Sequence, residues 1–276
     1  MPSFSKYKVD PIFYNKNYFL SKEYPESKNY QAGIYRLTPQ LEKIYQNIKP
    51  TKKKLKFLDA GCGRGELLYF IAKKGYQVYG IDYSKDAVEM SQRLLKRKQI
   101  KGEVIKTDVS KIPFSENYFD LIVSTDVIEH LDDEKAAVNF LNEMYRILKP
   151  KGKFYLHTAP NRLYLDYFVK HYQRYLNFLI FHLANFLMRK KKYRVSLKIR
   201  TPTDKIVHVN EQTYFSLKRF LEKSLFKNYE IKIASYPLSF SLWKIPYYVF
   251  AYFYPLNRIS PFNIILGNHL YFLAKK

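Results

Sequence analysis

The chain has one cysteine, Cys62, among 276 residues. A lone thiol can form neither an internal disulfide nor a Cys-based structural zinc site, and it fits a reducing compartment. Glycine is sparse, at 9 residues, and tryptophan occurs once. Collagen-like, coiled-coil and disulfide-scaffold architectures are thereby excluded. The opening, MPSFSKYKVDPIFYNKN, holds no apolar stretch of signal-peptide length, so the expected location is cytoplasmic. The apolar run LNFLIFHLANFLM (176–188) has 13 residues, short of the ~20 that a membrane-crossing helix needs. Acidic residues are scarce too: 24 Asp+Glu face 48 Lys+Arg, a net charge of +24.

Apolar and aromatic residues are plentiful. Hydrophobic residues make up 47% and aromatics 18%, with 27 Tyr and 21 Phe. A chain of this length and composition can bury a sizeable core, as one domain with large insertions or as two small ones. The basic surplus is uneven. Residues 1–160 hold 28 Lys+Arg and 19 Asp+Glu, whereas residues 161–276 hold 20 and 5. A basic, aromatic second half suits a nucleic-acid surface or an anionic membrane surface. Codon bias toward Lys, Tyr, Phe, Ile and Asn would account for the bulk composition but not for this asymmetry.

Strand and helix signals alternate through the first half. Lys56–Leu58 reads as a buried strand ending in a glycine-rich turn, and Glu66–Lys74 as a helix with Leu67, Phe70 and Ile71 on one face. Gln77–Ile81, Glu103–Thr107, Phe119–Ser124 and Lys153–His157 read as further strands. Helices are expected at Thr38–Ile48, Asp86–Lys98 and Glu134–Leu148. Short connections between alternating elements predict a parallel, doubly wound α/β sheet. After Pro160 the rhythm breaks into an aromatic, basic stretch, 161–205. Glu211–Leu225 then reads as a helix, and Tyr229–Ser235 and His269–Ala274 as strands.

The sequence Asp59-Ala60-Gly61-Cys62-Gly63-Arg64-Gly65 sets D-x-G-x-G-x-G between a strand and a helix. Glycines there permit a tight turn and let backbone approach a ligand closely. Asp82 ends the next strand, where a carboxylate can accept hydrogen bonds from ribose hydroxyls. Position 66, where a dinucleotide site wants its third glycine, holds Glu66. A carboxylate beside a pyrophosphate is unfavourable, so Glu66 and Asp59 favour a ligand without phosphate that carries positive charge.

With these residues in order, the chain resembles class I S-adenosylmethionine-dependent methyltransferases of the type 11/12 kind. The resemblance rests on Phe57–Gly65, Gly80-Ile81-Asp82-Tyr83-Ser84, Thr107-Asp108-Val109 with Ile112-Pro113-Phe114, Phe119–Val123, Val127-Ile128-Glu129-His130 and Leu148–Gly152. It is close over 50–160 and loose over 208–235. It implies a Rossmann-like, doubly wound seven-stranded sheet with an antiparallel last strand, plus an aromatic, mainly helical cap inserted after strand five. It also implies a division into an N-terminal helical lid (1–50), a cofactor-binding core (51–160), the cap (161–205), and a C-terminal part of the core (206–276) with a second aromatic insertion at 237–266. S-adenosylmethionine is the implied methyl donor. Gly61 and Gly63 would line its methionine moiety, Asp82 would hold the ribose, and Asp108 the adenine amino group. Asp59, Cys62, Gly65, Tyr83, Val109 and Asp126 complete the expected binding set.

The resemblance nominates His130 as the group that removes an acceptor proton, with Glu129 orienting it. Asp126-Val-Ile-Glu129-His130 is also similar to the D/E-x-x-E-H segment of ubiquinone-pathway O-methyltransferases, which can bind a divalent metal ion beside a catechol. The same I-E-H-L string occurs in unrelated members of the superfamily, so the metal stays open. Those quinone enzymes carry a membrane-binding insertion after strand five, where this chain has 161–205. The expected acceptor is therefore small or lipid-like (a quinone, lipid or glycan), met by an enzyme peripheral to the inner face of an anionic membrane. Arg189–Arg194, next to the apolar run, reads as an interfacial anchor. Nucleic acid is disfavoured: Cys62 lies in the cofactor loop, not where a cytosine methylase needs its nucleophile, and Ser124-Thr125-Asp126-Val127 stands where amino-group methylases have N/D/S-P-P-Y/F. RNA or protein methylation, or a non-catalytic cofactor-binding module, is the alternative.

Overall fold

A computed structural model describes residues 9–21, 26–164, 206–234, 264 and 267–276. The expected cap (161–205) and second insertion (237–266) therefore lie almost wholly outside the described residues. The described elements are α1 (Lys16–Phe19), α2 (Glu26–Gln31), α3 (Pro39–Asn47), β1 (Lys56–Ala60), α4 (Glu66–Lys73), β2 (Gln77–Asp82), α5 (Lys85–Arg97), β3 (Gly102–Lys106), β4 (Phe119–Thr125), α6 (Glu134–Ile147), β5 (Leu148–Thr158), α7 (Tyr214–Lys223), β6 (Asn228–Ala234) and β7 (His269–Lys275).

The seven strands form one sheet in the order β3-β2-β1-β4-β5-β7-β6. β1, β2, β3, β4 and β5 pair in parallel, whereas β7 runs antiparallel to both β5 and β6. The antiparallel last strand is as expected. Between β1 and β4 the strand order reverses, and such a switch point opens a crevice at the carboxyl ends of the strands.

Apolar residues cover both faces, as a buried parallel sheet requires. One core joins Phe119, Phe140, Phe154, Phe226 and Phe272 between the sheet, α6 and α7; the other joins Ile44, Phe57, Leu67, Leu68 and Ile71 beneath α3 and α4. In α4 the buried positions are Leu67, Leu68 and Ile71. Phe70 is only half-buried, edge-on to Tyr45 at 5.9 Å. Gly80 explains the exchange: a Cβ there would stand 2.8 Å from Leu68 Cδ1, so the missing side chain on β2 makes room for Leu68. α7 starts at Tyr214 rather than Glu211, because Thr213 and Ser216 cap each other's backbone N–H groups there.

Candidate functional site

A cavity of about 480 Å³ opens at the carboxyl ends of the strands, at the switch point. The β1–α4 turn forms part of its wall. The Gly61 and Cys62 amides both donate to Ile81 O, folding the turn back on β2. Gly61 has φ +87°, and a Cβ there would fall 2.2 Å from Val127 Cγ2. Only glycine fits that position, so the turn presents bare backbone to the cavity.

Asp82 lines the same wall and is tightly held. Its Oδ2 accepts from the Gly63 amide at 3.0 Å and its Oδ1 from the Ser84 amide at 2.9 Å. Burial pushes its pKa up to about 6, against the downward pull of those amides. Asp108 and Val109 line the cavity further along, and Asp108 Oδ1 accepts from the Ser110 amide at 2.8 Å. Tyr83 and Asp126 also line it.

Three of the expected binding residues stand behind this wall rather than among the residues lining it. Asp59 is buried, its Oδ1 has no hydrogen-bond partner, and burial, then Asp82 and Glu66, raise its pKa well above the usual carboxylate range. Cys62 is buried with its sulfur 3.6 Å from Ser91 Oγ, and burial pushes the thiol pKa up. That environment suits packing rather than nucleophilic chemistry. Gly65 begins α4, and a Cβ there would meet Ser91 Oγ at 2.7 Å, so its role is to let α4 and α5 approach. Glu66, expected to favour a cationic ligand, is ion-paired with Arg64 at 2.8 Å.

At the other end of the cavity His130 sits on a 3-10 turn, Ile128–His130, that follows β4. Its Nδ1 lies 2.9 Å from both Val207 O and Tyr14 Oη. A backbone carbonyl only accepts, so Nδ1 carries the hydrogen in the neutral ring and Nε2 holds the lone pair. Tyr14 is hydrogen-bonded to Tyr83 as well, and burial raises its pKa above the ordinary tyrosine value. Nothing in the sequence pointed to Tyr14. It lies 116 residues from His130 in a polar, aromatic segment without periodicity. That segment is pinned over the cavity by three bonds: Ser84 Oγ to Tyr14 O, the Lys16 amide to Asp86 Oδ2, and Arg64 Nη1 to Phe19 O.

Glu129, expected to orient His130, precedes it on the same 3-10 turn. Fully buried, it accepts from Thr158 Oγ1 at 2.9 Å, and burial, then Asp126, push its pKa well up. The bonds at His130 Nδ1 run to Tyr14 and Val207. Glu129, His130 and His208 bring ligand atoms within 4.8 Å of one another and could together hold a metal ion. Asp126, expected in that set from the D/E-x-x-E-H likeness, turns to His157: Oδ1 lies 2.9 Å from His157 Nδ1.

Residues 58–156 match the family described as a methyltransferase domain. An uncharacterized protein of Methanocaldococcus jannaschii is 35% identical over 49% of this chain and 56% of its own length. The ubiquinone biosynthesis O-methyltransferase of Pelagibacter ubique is 31% identical over 44% and 48%. The chain thus spans about half the length of the curated relatives it matches. A crystal structure of a SAM-dependent methyltransferase from Archaeoglobus fulgidus superposes with a TM-score of 0.53 at 22% identity, over 86% of this chain and 93% of that one. That likeness shows the fold. Domain match, relatives and sheet topology agree: residues 58–156 resemble a methyltransferase domain, and the sheet has the fold of the S-adenosylmethionine-dependent methyltransferases.

Proposed function

We propose that the cavity binds S-adenosylmethionine and that the chain transfers its methyl group to an oxygen of a small or lipid-like acceptor. The observation that carries this reading is the glycine turn facing Asp82 across one wall, with Asp108 and Val109 further along. The residues fit the donor chemically. Bare backbone at Gly61 and Gly63 admits the methionine end, and Gly61 leaves no room for a Cβ against Val127. Asp82, held by two amides, offers its remaining lone pairs to ribose hydroxyls. Asp108 offers an acceptor to the adenine amino group.

When bound, S-adenosylmethionine supplies a methyl carbon on a positively charged sulfur that is already a good leaving group. The chain's own residues must align the acceptor, exclude water and take a proton. Tyr14, Tyr18 and Phe19 cover the cavity and restrict water. His130 Nε2 takes the acceptor's hydroxyl proton, while Val207 O and Tyr14 hold Nδ1–H and stabilise the imidazolium that results. Were a divalent ion to bind, Glu129, His130 and His208 would hold it and it would polarise an acceptor oxygen.

The likeness to a ubiquinone O-methyltransferase supports an oxygen on a hydrophobic acceptor. The cationic second half supports its capture at an anionic membrane surface. Among the described residues no helix is long and apolar enough to cross a membrane. The test is a methyl-transfer assay with labelled donor over quinone-precursor, membrane-lipid and RNA pools, with the product identified by mass. Label in a quinone or lipid supports the reading; label confined to RNA would overturn it.

A further inference from the structure

Asp126, His157 and His269 form a line of polar groups that the reading above does not use. Asp126 takes up a left-handed backbone conformation, φ 54°, just after β4, and lines the cavity. His157, 1% exposed, sits beside it on β5, in register with Thr125, and His269 begins β7. His157 Nδ1 lies 2.9 Å from Asp126 Oδ1, in a contact bent from ideal hydrogen-bond geometry. On its other side His157 Nε2 lies 2.9 Å from His269 Nδ1, and the two rings stack with centroids 5.2 Å apart. His157 O also accepts from the Asp126 amide at 3.1 Å. Backbone and side chain of Asp126 are thus both tied to one residue.

Asp126 sets the direction of the first hydrogen in this line. A carboxylate only accepts, so His157 directs Nδ1–H at Asp126. One hydrogen joins His157 Nε2 to His269 Nδ1. Burial, with His157 adjacent, pushes the His269 pKa down to about 3, so His269 stays neutral through the physiological range. Burial alone would raise the Asp126 pKa, but His157 beside it outweighs this and holds it below the usual value. The other titratable groups that face the line are Glu129, beside Asp126, Tyr271, whose ring centroid lies 4.8 Å from that of His157, and Lys43, beside His269. The Asp126 carboxylate is thus held ionised on the cavity wall.

We propose that His157, backed by His269, is a positioning residue that fixes the Asp126 carboxylate toward the charged sulfur of the donor, so that the cavity discriminates the cationic donor from its neutral demethylated product. The proposal rests on the reading of the cavity as the donor site. A fixed anion attracts the sulfonium and has no such partner in the product. It raises donor affinity relative to product and eases product release. A methyltransferase that cannot tell the two apart is inhibited by its own product.

The test measures, by calorimetry on the full chain, dissociation constants for S-adenosylmethionine and S-adenosylhomocysteine in the wild type, His157→Leu and His157→Asn. Asparagine places an N–H near the Nδ1 position but cannot reach His269. A misdirected charge forfeits part of an attraction felt through a protein-like dielectric, so His157→Leu should shift the donor-to-product affinity ratio about tenfold toward product. His157→Asn should recover most of that shift. A general packing role would weaken both ligands alike and leave the ratio unmoved. An unchanged ratio in His157→Leu overturns the proposal. If that variant fails to fold, Asp126→Asn carries the test: it must shift the ratio in the same direction, and an unchanged ratio there overturns the proposal equally. Failure of the wild type to bind either compound would instead refute the donor-site reading.

Discussion

Asp82 makes the proposed donor site sensitive to pH, in a direction set by its raised pKa. Its pKa rises from 3.8 to about 6 on folding, because burial penalises the charge more than the Gly63 and Ser84 amides relieve it. For a group raised on folding, the stabilisation is fully present below the unfolded value and is lost as pH rises through the folded one. Between pH 4 and pH 6 Asp82 alone should remove about 2 kcal/mol of stability, out of about 3 kcal/mol over the whole transition, at 1.36 kcal/mol per unit of pKa difference. Donor binding runs the other way. Ribose hydroxyls donate to the ionised carboxylate, so affinity should be level above pH 7 and fall about tenfold per unit below pH 6. Urea denaturation from pH 4 to 8, compared between wild type and Asp82→Asn, isolates the first effect, and calorimetry over the same range isolates the second. The amide introduced by Asp82→Asn cannot titrate. The gap between the two stability curves should therefore be constant above pH 7 and change below pH 6, with the wild type gaining on acidification. Curves parallel over the whole range would refute the account of Asp82, as would donor affinity that does not change between pH 7 and 5.

Other outcomes follow from the same geometry. Gly61→Ala forces a Cβ onto Val127 in a backbone conformation that disfavours it, and should cut donor affinity at least about a hundredfold by calorimetry, with about 1–2 kcal/mol of strain if the turn holds. His130→Ala should lower the methyl-transfer rate constant by about 10²–10³ with little change in donor affinity, while Tyr14→Phe, which keeps the ring but not the hydroxyl, should cost about tenfold. Phe140→Ala, in the core between β5 and α6, should destabilise by about 3–5 kcal/mol in urea titrations and leave the relative affinities of donor and product untouched.

The alternating half of the chain was legible because its physics is local. Short apolar runs bounded by Gly, Asp or Pro can be buried in few ways, and β1 to β4 lie within two residues of where periodicity put them, whereas β5 starts five residues early, at Leu148. The ends shifted where side chains outside the pattern decided: Thr213 and Ser216 moved the start of α7 to Tyr214, and Gly80 exchanged Leu68 for Phe70 under the sheet. The cavity wall was readable because Gly61, Gly63 and Asp82 must stand in fixed order along the chain. Its depth was not readable, which is why Asp59, Cys62 and Gly65 turn out to be supports behind the wall. The acceptor end depends on contacts between distant segments. Tyr14 and Val207 reach His130 from opposite ends of the sequence, and His157 and His269 meet across an antiparallel pair separated by 112 residues. No spacing rule encodes such meetings.

The central claim is that this cavity is a donor site. Titration of the full chain with S-adenosylmethionine in a calorimeter at about pH 7.5 tests it most directly, with Asp82→Ala run alongside. The account predicts one site per chain, displaced competitively by S-adenosylhomocysteine, and a loss in Asp82→Ala of about 1–3 kcal/mol, the cost of removing hydrogen bonds to a charged acceptor. Absence of binding at millimolar donor, or equal binding by wild type and Asp82→Ala, would contradict it.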